Sequence, residues 1–212
     1  MYKSWEEINE EDTNNYVVGT LSGYSLPDNA YDVSGMIDAG KLLDTVRKYM
    51  GYSFLGKDIL EFGSGNGRMT KHLRQFFGNY TAMDISQTML DLLKKKVDTN
   101  TIKGNGTSIP AEQVDIIFTF TVLMHNKKAL VPEIVEQFNR ALRPGGYLFM
   151  QLPCYSVGSD ICKFDGVSAW TPEEVEALGK NFKVLHIADS GRSLGSEISP
   201  QHFEYHVFKR VV

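Results

Sequence analysis

The chain has 212 residues, 42% of them hydrophobic and 23% charged, which reads as a soluble globular domain able to bury one core without disulfides or metals. Lys and Arg number 22 against 26 Asp and Glu, and a formal charge of −4 argues against nucleic acid as partner unless the fold gathers a basic stripe. No apolar run nears the ~18 residues of a membrane span, acids stand at Glu6 and Glu7 where a secretory leader would be apolar, and Cys154 and Cys162 cannot build a disulfide framework or a four-ligand zinc site, so a reducing, cytoplasmic compartment and no metal are expected.

Residues 1–35 are polar, broken by turn residues and dotted with aromatics (Tyr16, Tyr24, Tyr31), and are expected to form a capping segment ahead of one domain at 36–212. From residue 36, Leu42, Leu43, Val46, Tyr49 and Met50 recur at helical spacing, and Gly51 ends the helix. Residues 58–62 form a short strand. Gly63-Ser64-Gly65-Asn66-Gly67 then turns the chain into a helix marked by Met69, Leu73, Phe76 and Phe77. A strand at 80–84 leads to Ser86, a helix cap, and to a helix carrying Met89, Leu90, Leu93 and Val97. Strands follow at 101–103 and 115–120. A helix over 130–142 tolerates Pro132 in its first turn. Arg143-Pro144-Gly145-Gly146 reads as a sharp turn before a strand at 147–152.

Strict β/α alternation predicts a doubly wound, mostly parallel sheet with helices on both faces. The ending differs. Residues 153–168 form a long loop, and Thr171 and Pro172 open a short helix. No helix separates the strand at 182–187 from the one holding Phe203, Tyr205 and Val207, so these two pair antiparallel. The whole is an α/β fold of seven strands with an antiparallel C-terminal strand.

In such sheets ligands bind beyond the carboxyl ends of the strands. Gly63, Gly65 and Gly67 lie there, with helix N–H groups expected behind them. A plain strand-to-helix turn has the same appearance. Asp84 ends the next strand, placed either to grip a ribose diol or to cap a helix. Asn105 and Gly106 close the third strand, either as an adenine-reading pair or as a Gly-Asn-Gly turn.

Taken together, these segments resemble the class I S-adenosylmethionine-dependent methyltransferases. Glu61-Phe62-Gly63-Ser64-Gly65-Asn66-Gly67-Arg68 is similar to the family's first motif and Ala82-Met83-Asp84-Ile85-Ser86 to its second. Gly104-Asn105-Gly106 through Ile109-Pro110, Asp115-Ile116-Ile117-Phe118 and Leu142-Arg143-Pro144-Gly145-Gly146-Tyr147-Leu148 are similar to the later ones, so the resemblance covers about residues 36–152. It implies that Gly63, Ser64, Gly65 and Gly67 line the methionine and ribose part of S-adenosylmethionine, and of its product S-adenosylhomocysteine. Glu61 would hold the loop, or meet the methionine amine through water. Asp84 would bind the ribose, Ile85 pack on the adenine, Asn105 and Gly106 read its edge, and backbone groups near Phe120 and Thr121 meet the methionine end. The usual Asp of the third strand is Asn105 here, which keeps an acceptor but loses charge and implies weaker affinity.

Two other readings stand beside it. A nicotinamide dinucleotide oxidoreductase would want Gly-x-Gly-x-x-Gly, and Arg68 occupies the sixth position. A non-catalytic binding partner built on the methyltransferase fold would not need the glycines and Asp84 together. Methyl transfer from a sulfonium needs in-line positioning, and a base only where the acceptor carries a proton. His125, just past the fourth strand, is the candidate base or else a surface or helix-capping residue. Tyr16, Tyr31 and Tyr155 are candidate lid and substrate contacts or ordinary packing aromatics. At Thr119-Phe120-Thr121-Val122 the family's DNA-type Asp/Asn-Pro-Pro-aromatic motif, the paired glutamates of its arginine methylators and the carboxylates of its metal-dependent catechol type are all missing, so the resemblance implies a small-molecule acceptor offering oxygen, nitrogen or carbon, with peptide or RNA acceptors left open.

Overall fold

A computed structural model describes residues 28–154, 168–188 and 205–211. Tyr16, Tyr155 and Cys162 fall outside these residues. The chain divides into two compact units, Met1–Asn105 and Gly106–Val212. The seven strands, β1 (Ile59–Phe62), β2 (Tyr80–Asp84), β3 (Asn100–Lys103), β4 (Val114–Thr119), β5 (Leu142–Gln151), β6 (Phe182–His186) and β7 (Tyr205–Arg210), follow the order β3-β2-β1-β4-β5-β7-β6, the mostly parallel α/β sheet that the alternation predicts.

The first unit opens with helix α1, Asp28–Met50. Tyr31, Gly35, Ala39, Leu42 and Val46 make one buried stripe along it at helical spacing. Its end is set by Gly51 at φ 60°, whose N–H donates to the Arg47 carbonyl at 2.8 Å. The helix starts eight residues before the apolar spacing predicts, and it passes through residue 35 without a break. Strands β1 (Ile59–Phe62), β2 (Tyr80–Asp84) and β3 (Asn100–Lys103) run parallel, with Ile59 opposite Tyr80 and Thr81 opposite Asn100. β1 is buried throughout, as a strand covered on both faces must be. The helix after the glycines is shorter than expected: α2 spans only Thr70–Leu73 and tightens into a 3₁₀ turn at Arg74–Phe76. Helix α3, Gln87–Lys94, is capped as its sequence predicts, with Ser86 Oγ accepting from the Met89 N–H at 3.2 Å.

In the second unit, β4 (Val114–Thr119) pairs in parallel with β5 (Leu142–Gln151). Helix α4, Val131–Ala141, buries Ile134, Val135 and Phe138 and carries its proline in the first turn. The expected turn at 143–146 is instead an outward bulge within β5. Its pairing jumps from Leu142 to Tyr147 while β4 advances only from Val114 to Ile116. Gly145 there has φ 78°, and a Cβ on Gly146 would sit 2.8 Å from the Asp115 carbonyl oxygen. Helix α5, Pro172–Leu178, begins with a capping box between Thr171 and Glu174. β7 (Tyr205–Arg210) lies antiparallel to both β5 and β6 (Phe182–His186), the reversal read from the sequence. None of the described helices is long and apolar enough to cross a membrane.

Candidate functional site

The glycine loop leaves the carboxyl end of β1 and folds back on β2. The Met83 carbonyl accepts from both Gly63 N (2.8 Å) and Ser64 N (3.1 Å). Gly63, Gly65 and Gly67 all have positive φ, 80°, 54° and 88°, so L side chains would strain the loop at each position. A Cβ on Gly65 would meet nothing within 4 Å, so open space lies beside the backbone there. Behind the loop the chain turns helical: the Lys71 N–H donates to the Gly67 carbonyl at 3.3 Å, and α2 proper begins at Thr70.

Asp84 is the hinge of this arrangement. Its Oδ2 accepts from the Gly65 N–H at 2.8 Å and its Oδ1 from the Ser86 N–H at 2.9 Å. One carboxylate therefore fixes the loop apex and the start of the α3 cap, as charge-assisted bonds do well. Ile85 follows, half exposed. Asn105, also exposed, lies beyond β3, and Gly106 has φ 84°.

Glu61 lies beneath the loop, 4% exposed. Its Oε2 accepts from Thr70 Oγ1 at 2.6 Å and from Tyr80 Oη at 2.7 Å, which ties β1 to α2 and β2. Burial raises its pKa to about 7, with the Asp84 charge adding to the effect; the two hydroxyls and Arg68 work against it. Ser64 Oγ is buried with no hydrogen-bond partner among the described residues.

Helix α1 grips the loop from the other side. Tyr31, buried, donates from Oη to Asn66 Oδ1 at 2.9 Å. Arg68 Nη1 donates to Asp38 Oδ2 at 2.7 Å and to Ser34 Oγ at 3.2 Å, and Lys71 pairs with Asp32. Gly35 packs directly on the loop backbone: a Cβ there would run into the Arg68 carbonyl oxygen. The roles of Asn66, Arg68, Thr70 and Tyr80 carry no sequence signal beyond their nearness to the glycines.

In the second unit, Phe120 and Thr121 follow β4. Thr121 has φ 57° and donates its N–H to Gln151 Oε1 at 3.0 Å. The Phe120 ring centroid lies 5.9 Å from that of Tyr205. His125 is half-buried at the end of the 3₁₀ turn Leu123–His125. Behind that turn, the Met124 carbonyl accepts from both Ser168 N (2.7 Å) and Ser168 Oγ (3.0 Å). Gln151, the partner of Thr121, is a residue that sequence reasoning does not single out. Its one signal is a lone amide at the end of an otherwise apolar strand.

Residues 60–150 match a family model described as a methyltransferase domain. A phosphoethanolamine N-methyltransferase of Triticum aestivum is 30% identical over 159 residues, 69% of this chain and 30% of the relative. The chain spans less than a third of the length of the curated relatives it matches. Among solved structures, a Leishmania major S-adenosylmethionine-dependent methyltransferase superposes with a TM-score of 0.67 at 19% identity, covering 98% of this chain and 83% of that one. The Haemonchus contortus phosphoethanolamine N-methyltransferase 1, in complex with phosphoethanolamine and S-adenosylhomocysteine, gives 0.64 at 15% identity, covering 98% and 47%. Over residues 60–150 the chain matches a methyltransferase-domain family, and its fold is the one shared by these methyltransferase structures. None of these findings supports the nicotinamide reading or the non-catalytic one.

Proposed function

We propose that the chain transfers a methyl group from S-adenosylmethionine to a small-molecule acceptor, with an amine of the phosphoethanolamine kind the first to test. The supporting observation is Asp84, a partly exposed strand-end carboxylate locked to the apex of a positive-φ glycine loop. A carboxylate offers roughly four lone-pair sites, which suits a vicinal diol, and the exposed face of Ile85 beside it suits a purine ring. The open space at Gly65 suits the close approach of a ligand to backbone.

In this reading Gly63, Ser64, Gly65 and Gly67 line the ribose and methionine part, Ser64 offering its buried hydroxyl. Glu61 holds the loop from below. Asn105 and Gly106 read the adenine, and backbone groups at Phe120 and Thr121 receive the methionine end. The bound donor supplies an activated methyl on sulfur. The protein orients the acceptor in line with that methyl, excludes water and, for an acceptor bearing a proton, takes the proton on the His125 imidazole. Tyr31 braces the loop through Asn66, and Tyr16 and Tyr155 serve as further lid or acceptor contacts. The buried thiol of Cys154 is compatible with a reducing, cytoplasmic setting.

Calorimetry with S-adenosylmethionine, S-adenosylhomocysteine and nicotinamide dinucleotide tests the cofactor, and radiolabelled methyl transfer to a metabolite panel tests the acceptor. Both adenosyl ligands are expected to bind and the dinucleotide is not. Failure of either adenosyl ligand to bind at millimolar concentration would falsify the assignment.

A further inference from the structure

Two energetically costly features stand side by side at the carboxyl end of β4. Thr121 is β-branched yet sits at φ 57°, in the left-handed region such residues avoid; among the described non-glycine residues only Glu112 also has positive φ. Gln151, at the end of β5, is 1% exposed, and its Nε2 is buried with no hydrogen-bond partner among the described residues. A single bond joins the two, from the Thr121 N–H to Gln151 Oε1 at 3.0 Å.

A methionine or leucine, like Met150 and Leu152 on either side, would fill the same strand end without stranding a donor. The fold gains little from the amide, so its use lies in what the oxygen holds. Backbone strain held in place by surrounding structure collects at ligand clamps, and the carboxyl edge of a parallel strand is where ligands meet this kind of sheet.

We infer that Gln151 is a positioning residue for the methionine end of the methyl donor. Its carboxamide oxygen fixes the left-handed peptide of Thr121, and through it the direction of the Phe120 carbonyl and of the turn that carries His125. The inference rests on the reading above, in which backbone groups at Phe120 and Thr121 receive that end of the ligand. Without the oxygen, Thr121 relaxes to the extended or right-handed conformations that threonine prefers, and the peptide groups on both sides of it turn away.

Two probes separate this role from a structural one. S-adenosylhomocysteine carries the methionine end, and 5′-methylthioadenosine carries the same nucleoside without it. Gln151→Met is expected to weaken the first about tenfold and to leave the second within about twofold of the unsubstituted chain. Its Tm is expected to stay within about 4 °C, because the substitution loses one bond and relieves one stranded donor. Gln151→Glu keeps an oxygen for the Thr121 N–H and is expected to restore S-adenosylhomocysteine binding to within about threefold. Equal weakening of both ligands, unchanged S-adenosylhomocysteine affinity, no restoration by glutamate, or loss of the cooperative melt in Gln151→Met each overturns the inference. If the unsubstituted chain binds no S-adenosylhomocysteine, the methyl-donor reading itself fails, and that control comes first.

Discussion

Asp84 holds the loop through one carboxylate, the same group that the proposed function sets against the ribose. Its position at the end of β2 is legible in the sequence. Its bond to the Gly65 N–H is not, because that contact depends on the positive φ of the loop and on the two strands lying in register. Asp84→Asn removes the charge but keeps one oxygen. It is expected to cost about 1.5–3 kcal/mol of S-adenosylhomocysteine binding, roughly 10- to 150-fold in affinity, measured by calorimetry. Asp84→Ala also strips the acceptors from the Gly65 and Ser86 N–H groups, so it is expected to be worse than asparagine and to lower Tm as well. Equal affinities for the two variants would mean that the carboxylate's hold on the loop does not matter for binding.

Helix α1 shows where periodicity stops being informative. The stripe of Ala39, Leu42 and Val46 announces a helix, but its first turns bear Tyr31 as their main buried apolar residue and are anchored by polar contacts to Asn66, Arg68 and Lys71. Such contacts join positions some 30 residues apart, and no local pattern encodes them. Likewise the bulge in β5 carries turn residues, and only its partner strand shows that pairing resumes at Tyr147. Two glycines of α1 test how closely the helix is seated. Gly40 is exposed, and a Cβ added there would have nothing within 4 Å, so Gly40→Ala is expected to stabilise the chain by about 0.5–1 kcal/mol through helix propensity. Gly35→Ala drives a methyl against the Arg68 carbonyl and is expected to cost about 1–3 kcal/mol and to weaken S-adenosylhomocysteine binding by displacing the loop. Thermal melts decide the signs, at about 2–4 °C per kcal/mol for a chain of this size. A neutral Gly35→Ala would show that the helix is not seated on the loop.

Across the whole molecule, the strand order follows from alternation and short connections, which is why the α/β architecture is readable from the sequence. Its response to pH is not, because it depends on two groups that the fold buries. Glu61 titrates near 7 rather than near 4.5, chiefly because burial disfavours its charge. Its contribution to stability is full below about pH 4.5 and is lost as pH rises through about 7. His206 is displaced the other way, to about 4 from 6.5, again chiefly by burial. Its Nδ1 accepts from the Ala188 N–H at 3.0 Å, so the proton sits on Nε2, 3.1 Å from the Leu152 carbonyl oxygen. That neutral form contributes fully above about pH 6.5, and the contribution is lost as pH falls through about 4. Each displacement is worth about 3 kcal/mol across its window, so between about pH 4.5 and 6.5 the two slopes oppose each other and largely offset. Single substitutions are expected to unmask them. Relative to the unsubstituted chain, Glu61→Gln should gain stability as pH rises through that range, and His206→Gln should lose it. The unit Met1–Asn105 holds Glu61 and the unit Gly106–Val212 holds His206, so one cooperative melt carries both slopes in a single Tm, whereas two separate melts would assign one slope to each. Parallel Tm profiles for all three proteins would mean that neither group titrates away from its ordinary range.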